Sequence, residues 1–394
     1  MNEEKKTGWR RFVRQVEPYV PGEQPKDKDV IKLNTNENPY PPAPGVFRAA
    51  AQFDAGRLPL YPAFPEQTEL AQALADYYHI QKEELFIGVG SDDVLANAFQ
   101  TFFNSDRPIL FPDITYSFYS VWADLYRIPY ERPALDENFR IRVEDYIRSD
   151  RKNASSNSVI ACEKENSGNS AIACETGNFI AKKNEIGGII FPNPNAPTSV
   201  AMEPEAVEEI IRLNPDVVVI VDEAYIDFGG TSVLPLIHKY DNLLVVQTFS
   251  KSRSMAGARI GFAMGNPELI AAMNAVKYSS NSYTLNSPSL AMGAAAVQDV
   301  AYFKETVQKI IRTRETAKAR LAELGFTCLD SKANFLFVTH ESIPAKEIFE
   351  YLKTKKIYVR YFAQPRIDNY LRITVGTEEQ MEKLYRALGE LVNC

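Results

Sequence analysis

From about residue 65 onward the apolar positions fall into two alternating rhythms. TELAQALADYYHI, residues 68–80, repeats apolar side chains at helical spacing. PILFP (108–112), GGIIFP (187–192), DVVVIVDEAY (216–225) and LLVVQTFSK (243–251) are short unbroken apolar runs stopped by proline or polar residues. Such continuous strands, separated by helices, predict parallel strands covered on both faces. FIGVGSDDVLANAFQTFF (86–103) reads as a strand, a glycine turn and a buried helix, and EPEAVEEIIRLN (203–214) as a helix whose acidic start suits the helix dipole. A long helical pattern over 300–325 then gives way to short strands, ANFLFV, IYVRYF and YLRITVG, alternating with helices. The expected fold class is α/β: a large domain with a mostly parallel sheet covered by helices, and a smaller α/β domain.

The pattern divides the chain into an N-terminal arm (1–47), a large domain (48–285) and a small C-terminal domain (286–394). The arm is polar and proline-rich. Residues 151–184 break the rhythm. They are rich in Ser, Asn and Lys, contain an approximate twelve-residue repeat (SVIACEKENSGN, SAIACETGNFIA), and read as a surface insertion. Cys162 and Cys174 within it are not expected to pair in a reducing compartment.

The 394-residue chain is 45% apolar, enough for a large core, and its net charge of −7 argues against non-specific nucleic-acid binding. The N-terminal stretch lacks an apolar signal core, and no run of about 18 apolar residues occurs, so the expected compartment is the cytoplasm with no membrane span. Four cysteines without a CxxC pair and three scattered histidines give no metal-ligand spacing.

The candidate chemistry lies at strand ends. LLVVQ delivers Lys251 close to the carboxyl edge of a sheet, and DVVVIV delivers Asp222 likewise, with Tyr225 three residues on. An amine, a buried-prone carboxylate and a phenol at one edge suit pyridoxal 5′-phosphate. Its aldehyde takes the amine, its pyridinium nitrogen needs the carboxylate, and its phenolic oxygen needs a donor. Ser250 and Arg259 flank the lysine as phosphate ligands. The turn GVGSDD adds Ser91 and backbone N–H groups at a helix N-terminus, although it lacks the third glycine of a dinucleotide fingerprint.

The ordered set LNTNENPYPP, YP at 61–62, GSDD, TYSFY, FPNPNAPT, VDEAYIDF, TFSKSRSMAGARIGF, ANFLFV and YLRITVGT resembles the fold-type I aminotransferases, and among them the histidinol-phosphate aminotransferase family. The resemblance spans about residues 15–392 apart from the insertion. It implies that Lys251 condenses with the cofactor aldehyde, that Asp222 and Tyr225 hold the ring nitrogen and phenolic oxygen, and that Tyr116 stacks on the ring. It places Ser91, Asp92, Ser250 and Arg259 around the phosphate. Tyr61 would reach the cofactor of a neighbouring subunit, implying a homodimer. Arg372 would clamp the carboxylate of glutamate or 2-oxoglutarate, with Arg360, Tyr19 and Asn38 at the substrate end. The family's usual Asn-Asn-Pro-Thr-Gly is Asn195-Ala196-Pro197-Thr198-Ser199 here; Ala196 offers no hydrogen bond, and Asn195 is the nearest replacement. The implied reaction exchanges an amino group between L-histidinol phosphate and 2-oxoglutarate, a step of histidine biosynthesis. Aromatic amino-acid aminotransferases and threonine-phosphate decarboxylases share these residues.

Overall fold

In the computed structural model, residues 8–19, 22–25, 29–147 and 186–393 are described. The 151–184 insertion, with Cys162 and Cys174, lies outside the described residues. In chain order the elements are β1 (Ile31–Lys32), α1 (Pro44–Ala51), α2 (Glu69–Tyr78), β2 (Leu85–Gly88), α3 (Ser91–Phe102), β3 (Ile109–Leu110), α4 (Phe118–Tyr126), β4 (Tyr130–Glu131), β5 (Gly188–Pro192), α5 (Pro204–Leu213), β6 (Val219–Asp222), β7 (Leu243–Thr248) and β8 (Gly261–Gly265). There follow α6 (Pro267–Ser280), α7 (Ser287–Gln298), α8 (Val300–Glu323), β9 (Phe326–Cys328), β10 (Phe335–His340), α9 (Ala345–Thr354), β11 (Ile357–Tyr358), β12 (Arg360–Tyr361), β13 (Leu371–Thr374) and α10 (Glu378–Val392).

The large sheet runs β2-β8-β7-β6-β5-β3-β4. Its pairings are parallel except that β8 is antiparallel to both β2 and β7. The unbroken apolar runs are apolar because both faces are covered. Ile189, Phe191, Val219, Val221, Leu243 and Val245 enter one core with Leu70 and Leu74 of α2 and Ile210 of α5. The alternate residues Ile190, Ile220, Leu244 and Val246 enter the opposite core with Val94 and Phe99 of α3, Tyr119 and Trp122 of α4, and Met273 of α6. This is the period-two consequence of the strand.

The C-terminal strands form an antiparallel sheet, β12-β13-β10-β9. The IYVRYF run contributes to two sheets: β12 joins this one, while β11 pairs in parallel with β1 of the arm, Ile31 opposite Ile357. The arm is thus built into the smaller unit, and Leu33 lies in its core beside Ile357 and Ile373. Helix α7 begins just past residue 286, yet its Leu290, Ala294 and Val297 pack in the core of the seven-stranded sheet with α1 and α2. The mostly apolar α7 is covered by the large sheet's helices, whereas Ala317 and Leu321 of α8 already belong to the smaller core.

A cluster containing Ala196, Tyr225, Phe228, Phe303, Phe335 and Val375 joins the two units. Beside it, the buried guanidinium of Arg314 on α8 donates through Nη1 to the carbonyls of Phe228 (2.6 Å) and Ala333 (3.0 Å), bracing the loop after β6 against the start of β10. Truncation would leave the Phe228 carbonyl without its donor and the Ala333 carbonyl with only a long bond from Ser331 Oγ. Arg314→Ala is expected to cost about 2–4 kcal/mol, read as a lower urea midpoint with an unchanged denaturant slope.

Candidate active site

β6 and β7 are parallel neighbours, with Asp222 opposite Val246, so their carboxyl ends open at the same edge. Asp222, the last residue of β6, is 5% exposed. Its Oδ2 accepts from Tyr119 Oη at 2.9 Å and its Oδ1 from the Ala224 N–H at 3.2 Å. Burial pushes the carboxyl up to about 6, against the opposing pull of those two hydrogen bonds. Lys251 follows β7. Its Nζ lies 3.5 Å from the Thr35 carbonyl and 5.7 Å from the centre of the Tyr225 ring. Asn38 Nδ2 donates to the Lys251 and Ser252 carbonyls at 2.9 and 3.3 Å, fixing the loop that carries the lysine. Tyr225 is buried, and its hydroxyl oxygen accepts from Asn36 Nδ2 at 2.9 Å.

A second cluster forms where β2 turns into α3. Gly90 has φ of +83°, a conformation that strains any other residue, and a Cβ there would meet Arg259 Nη2 at 2.4 Å. A Cβ on Gly261 would meet Gly90 C and Ser91 N at 2.3 Å, so strand β8 approaches this turn backbone to backbone. Ser91 opens α3, whose first N–H groups have no side-chain cap. Arg259 points Nη2 at Asp92 Oδ2 (3.3 Å) and Nη1 at Ser250 Oγ (3.5 Å). Asp92 Oδ1 accepts from Tyr116 Oη at 2.8 Å. The Asp92 carboxylate therefore orients Arg259 and Tyr116. An uncapped helix N-terminus, a guanidinium and two serines make an anion cradle.

A cavity of about 190 Å³ is lined by Tyr19, Asn36, Tyr116, Ala196, Tyr225, Lys251, Arg360 and Arg372 among others, and Tyr116 connects it to the second cluster through Asp92. Arg360 and Arg372 stand directly opposite each other on antiparallel strands. Both guanidiniums lie over the Phe362 ring, at 5.6 and 5.7 Å, and Arg372 also lies over Phe335 at 5.4 Å. Arg372 Nη2 donates to the Asn34 carbonyl at 2.9 Å, while its Nε is buried without a partner. Burial pushes the Arg372 guanidinium below its ordinary value, and Arg360 adds to the depression. Like charges opposite each other on one sheet face repel, so the pair is arranged to receive an anion.

Lys251, Asp222, Tyr225, Tyr116, Ser91, Asp92, Ser250, Arg259, Arg360, Arg372 and Tyr19 are brought together. Three other sequence candidates are placed differently. The Asn195 amide is spent on the fold: Nδ2 donates to the Ile114 carbonyl (3.0 Å) and Thr198 Oγ1 (2.9 Å), and Oδ1 accepts from Thr115 Oγ1 (3.1 Å). Ala196, beside it, lines the cavity. Asn38 serves the lysine loop, its amide donors turned to backbone carbonyls. Tyr61 is 79% exposed, stacked on Tyr283 at 4.5 Å, and does not line this cavity. Sequence reasoning passed over Asn36 and Tyr119, the partners of Tyr225 and Asp222. Both lie in motifs already singled out, LNTNENP and TYSFY, but spacing alone does not separate Asn36 from Asn38 or Tyr119 from Tyr116.

Against pyridoxal phosphate, the group implied by the sequence, these residues fit. There is a buried carboxyl for a ring cation, a hydroxyl for a phenolic oxygen, a side-chain amine, and a cradle for a phosphate.

Residues 28–388 match the family model described as aminotransferase class I and II. The histidinol-phosphate aminotransferase of Clostridium beijerinckii is 47% identical over 380 residues, covering 96% of each chain. That of Lactococcus lactis subsp. lactis is 44% identical over 380 residues, covering 96% of this chain and 95% of the relative. Among solved structures, the histidinol-phosphate aminotransferase of Sinorhizobium meliloti in complex with pyridoxal-5′-phosphate superposes with a TM-score of 0.75 at 23% identity, covering 92% of this chain and 91% of that one. The structural likeness extends the fold-type I α/β architecture to this chain.

The state of Asp222 has a measurable consequence. Its folded pKa of about 6 exceeds the ordinary 3.8, so between these values the folded carboxyl holds a proton that the unfolded chain has released. Stability of the cofactor-free protein therefore falls as pH rises through that window and stays lower above it. Relative to wild type, cofactor-free Asp222→Asn is expected to gain up to about 3 kcal/mol between about pH 4 and pH 8, measured by urea unfolding at a series of pH values. A flat difference would show that folding leaves the Asp222 carboxyl at its ordinary value.

Proposed function

The chain belongs to the class I and II aminotransferase family, and we propose that it transfers the amino group of L-histidinol phosphate to 2-oxoglutarate, with pyridoxal 5′-phosphate as cofactor. The relatives that match almost its full length support this reading. The observation that carries it is the pair of opposed arginines, Arg360 and Arg372, lining the same cavity as Lys251. An amino donor with an anionic group, alternating with a dicarboxylate, needs that arrangement.

Pyridoxal phosphate supplies the aldehyde that accepts an amino group and a ring that takes up the electrons left when the α-proton departs. The protein's residues do the rest. Asp222 holds a cation at the ring nitrogen, and a cation there draws its carboxyl from the raised value back to the ionised form. Tyr225 donates to the phenolic oxygen, and Tyr116 presents its ring to the cofactor. Ser91, Ser250, Arg259 and the first N–H groups of α3 hold the phosphate, while Asp92 keeps Arg259 and Tyr116 in place. Lys251 Nζ would take up the proton that leaves the substrate's α-carbon and hold it for return. Arg372, with an unpaired buried Nε, takes a carboxylate of glutamate or 2-oxoglutarate, and Arg360 and Tyr19 complete the substrate end. The enzyme works in the cytoplasm as a homodimer in which Tyr61, exposed on one protomer, reaches the cofactor phosphate of the other. Among the described residues no helix is long and apolar enough to cross a membrane.

The test is a single-turnover absorption measurement on the purified protein. L-Histidinol phosphate is expected to bleach the yellow cofactor band rapidly, and 2-oxoglutarate to restore it. Preferential bleaching by L-phenylalanine would reassign the substrate to aromatic amino acids. Carbon dioxide release from threonine phosphate without any need for 2-oxoglutarate would make the protein a decarboxylase. Lys251→Ala is expected to abolish turnover. Arg372→Met should lower kcat/KM for 2-oxoglutarate at least about 30-fold, the effect of removing one partner of a desolvated charge pair.

A further inference from the structure

Tyr225 has a single hydroxyl proton, and its direction decides whether this wall of the cavity offers a donor. Ala196, which shares both the cavity and the apolar cluster with Tyr225, offers none. The direction is set from behind, by Asn36.

Asn36 is 1% exposed and held on every polar atom. Its backbone N–H donates to Thr374 Oγ1 at 3.0 Å, and its carbonyl accepts from Asn334 Nδ2 at 3.0 Å. Thr374 Oγ1 in turn donates to Asn36 Oδ1 at 3.1 Å. The threonine oxygen thus receives the backbone proton and sends its own to the amide oxygen. The amide nitrogen is left facing Tyr225 Oη at 2.9 Å. A phenol that accepts from an amide N–H must send its own proton elsewhere. The backbone of Asn36 sits at φ of +56°, in the left-handed region that asparagine tolerates better than most residues.

We propose that Asn36, locked by Thr374, is a positioning residue that turns the Tyr225 proton into the cavity and so sets the pH at which the bound cofactor titrates. This rests on the cofactor assignment above. A donor aimed at the phenolic oxygen stabilises negative charge there and loosens the hold of that oxygen on the proton of the neighbouring nitrogen, which lowers the titration midpoint. With alanine at 196, the task falls on the Tyr225 hydroxyl. Thr374 lies two residues from Arg372 on β13, so one strand carries both the anion-reading arginine and the lock.

The experiment is a pH titration of the yellow absorption band of the purified holoenzyme. Asn36→Ala is expected to raise the midpoint by about half to one pH unit. Asn36→Asp preserves the shape but accepts the Tyr225 proton, so it should raise the midpoint further, at least as far as Tyr225→Phe. Thr374→Val leaves the Asn36 side chain in place and should move the midpoint in the same direction by less, which keeps the test open if Asn36→Ala folds poorly. Ala196→Asn adds a donor and should lower it. In a Tyr225→Phe background, Asn36→Ala should add almost nothing, because its effect passes through the lost hydroxyl. An unchanged midpoint in folded Asn36→Ala or in folded Thr374→Val, or an equal shift with and without the Tyr225 hydroxyl, would overturn the proposal. A wild-type protein that binds no yellow cofactor would overturn the cofactor assignment and this inference together.

Discussion

The parallel pairing of β6 with β7 is the constraint on which the site depends. It places Asp222 and the loop carrying Lys251 at one sheet edge without any side-chain contact between the two strands being required. The register is held by two apolar layers. Val219, Val221, Leu243 and Val245 face one core, and Ile220, Leu244 and Val246 face the other. Slipping either strand by one residue would turn every one of these side chains to the opposite face. The positions of the amine and the carboxyl are thus fixed by hydrophobic burial some distance from the chemistry. The close approach of Gly261 to Gly90 extends the same logic to β8, which bears on the turn that forms the anion cradle.

What the sheet brings together is electrostatically unfinished. Asp222 is buried with two donors yet remains pushed towards its neutral form. Its sequence neighbour Glu223 is also pushed up by burial, to about 7, but is enclosed by Ser232, the Val233 N–H and Gln247. Glu223 is a structural group with its hydrogen bonds made inside the fold. Among the described residues Asp222 has only the Tyr119 hydroxyl and the Ala224 N–H as donors, and it feels the charge of Lys251. At the far end, Arg372 is buried beside Arg360 with Nε unpaired. A fold selected for stability alone would not keep an under-neutralised buried acid and two opposed cations. They make sense together as places for a cationic ring and an anionic substrate.

The large sheet was legible because its strands carry the simplest signal there is, continuous apolar runs closed by polar residues. Lys251, Asp222 and Tyr225 were readable as candidates because each ends or closely follows such a run, and Arg259, at φ of +53° just before β8, because it lies eight residues after the lysine. Legibility ended where two adjacent residues differ only in the direction they face. Asn195 and Ala196 illustrate this. A hydrogen-bonding side chain is the natural candidate for a cofactor contact, but here the amide closes the loop on Ile114, Thr115 and Thr198, and the small apolar residue faces the cavity. IYVRYF reads as one strand, yet Val359 is a break at which the chain leaves β1 of the arm and joins β13. The partner of β11 lies more than 300 positions away, at Ile31, and no local pattern records it. The same holds for Asn36, whose role follows from contacts with Thr374 and Tyr225 rather than from its place in a motif.

The arm gives the architecture its coupling. Residues 31–38 leave the smaller unit as a strand beside β11, pass Arg372 through the Asn34 carbonyl, Lys251 through the Thr35 carbonyl, and Tyr225 through the Asn36 amide, and end on the lysine loop through Asn38. The substrate-reading arginines stand on the small sheet, and the amine and carboxyl stand on the large one. One short extended segment touches both. Burial of Leu33 in the small core anchors its beginning. A displacement of β13 relative to β6 would be felt at Asn36, whose hydrogen bonds lead to Thr374 on one side and to Tyr225 on the other. Asn36, the residue proposed to orient the tyrosine proton, thus also bridges the two sheets, beside the apolar cluster and Arg314 that join the two units.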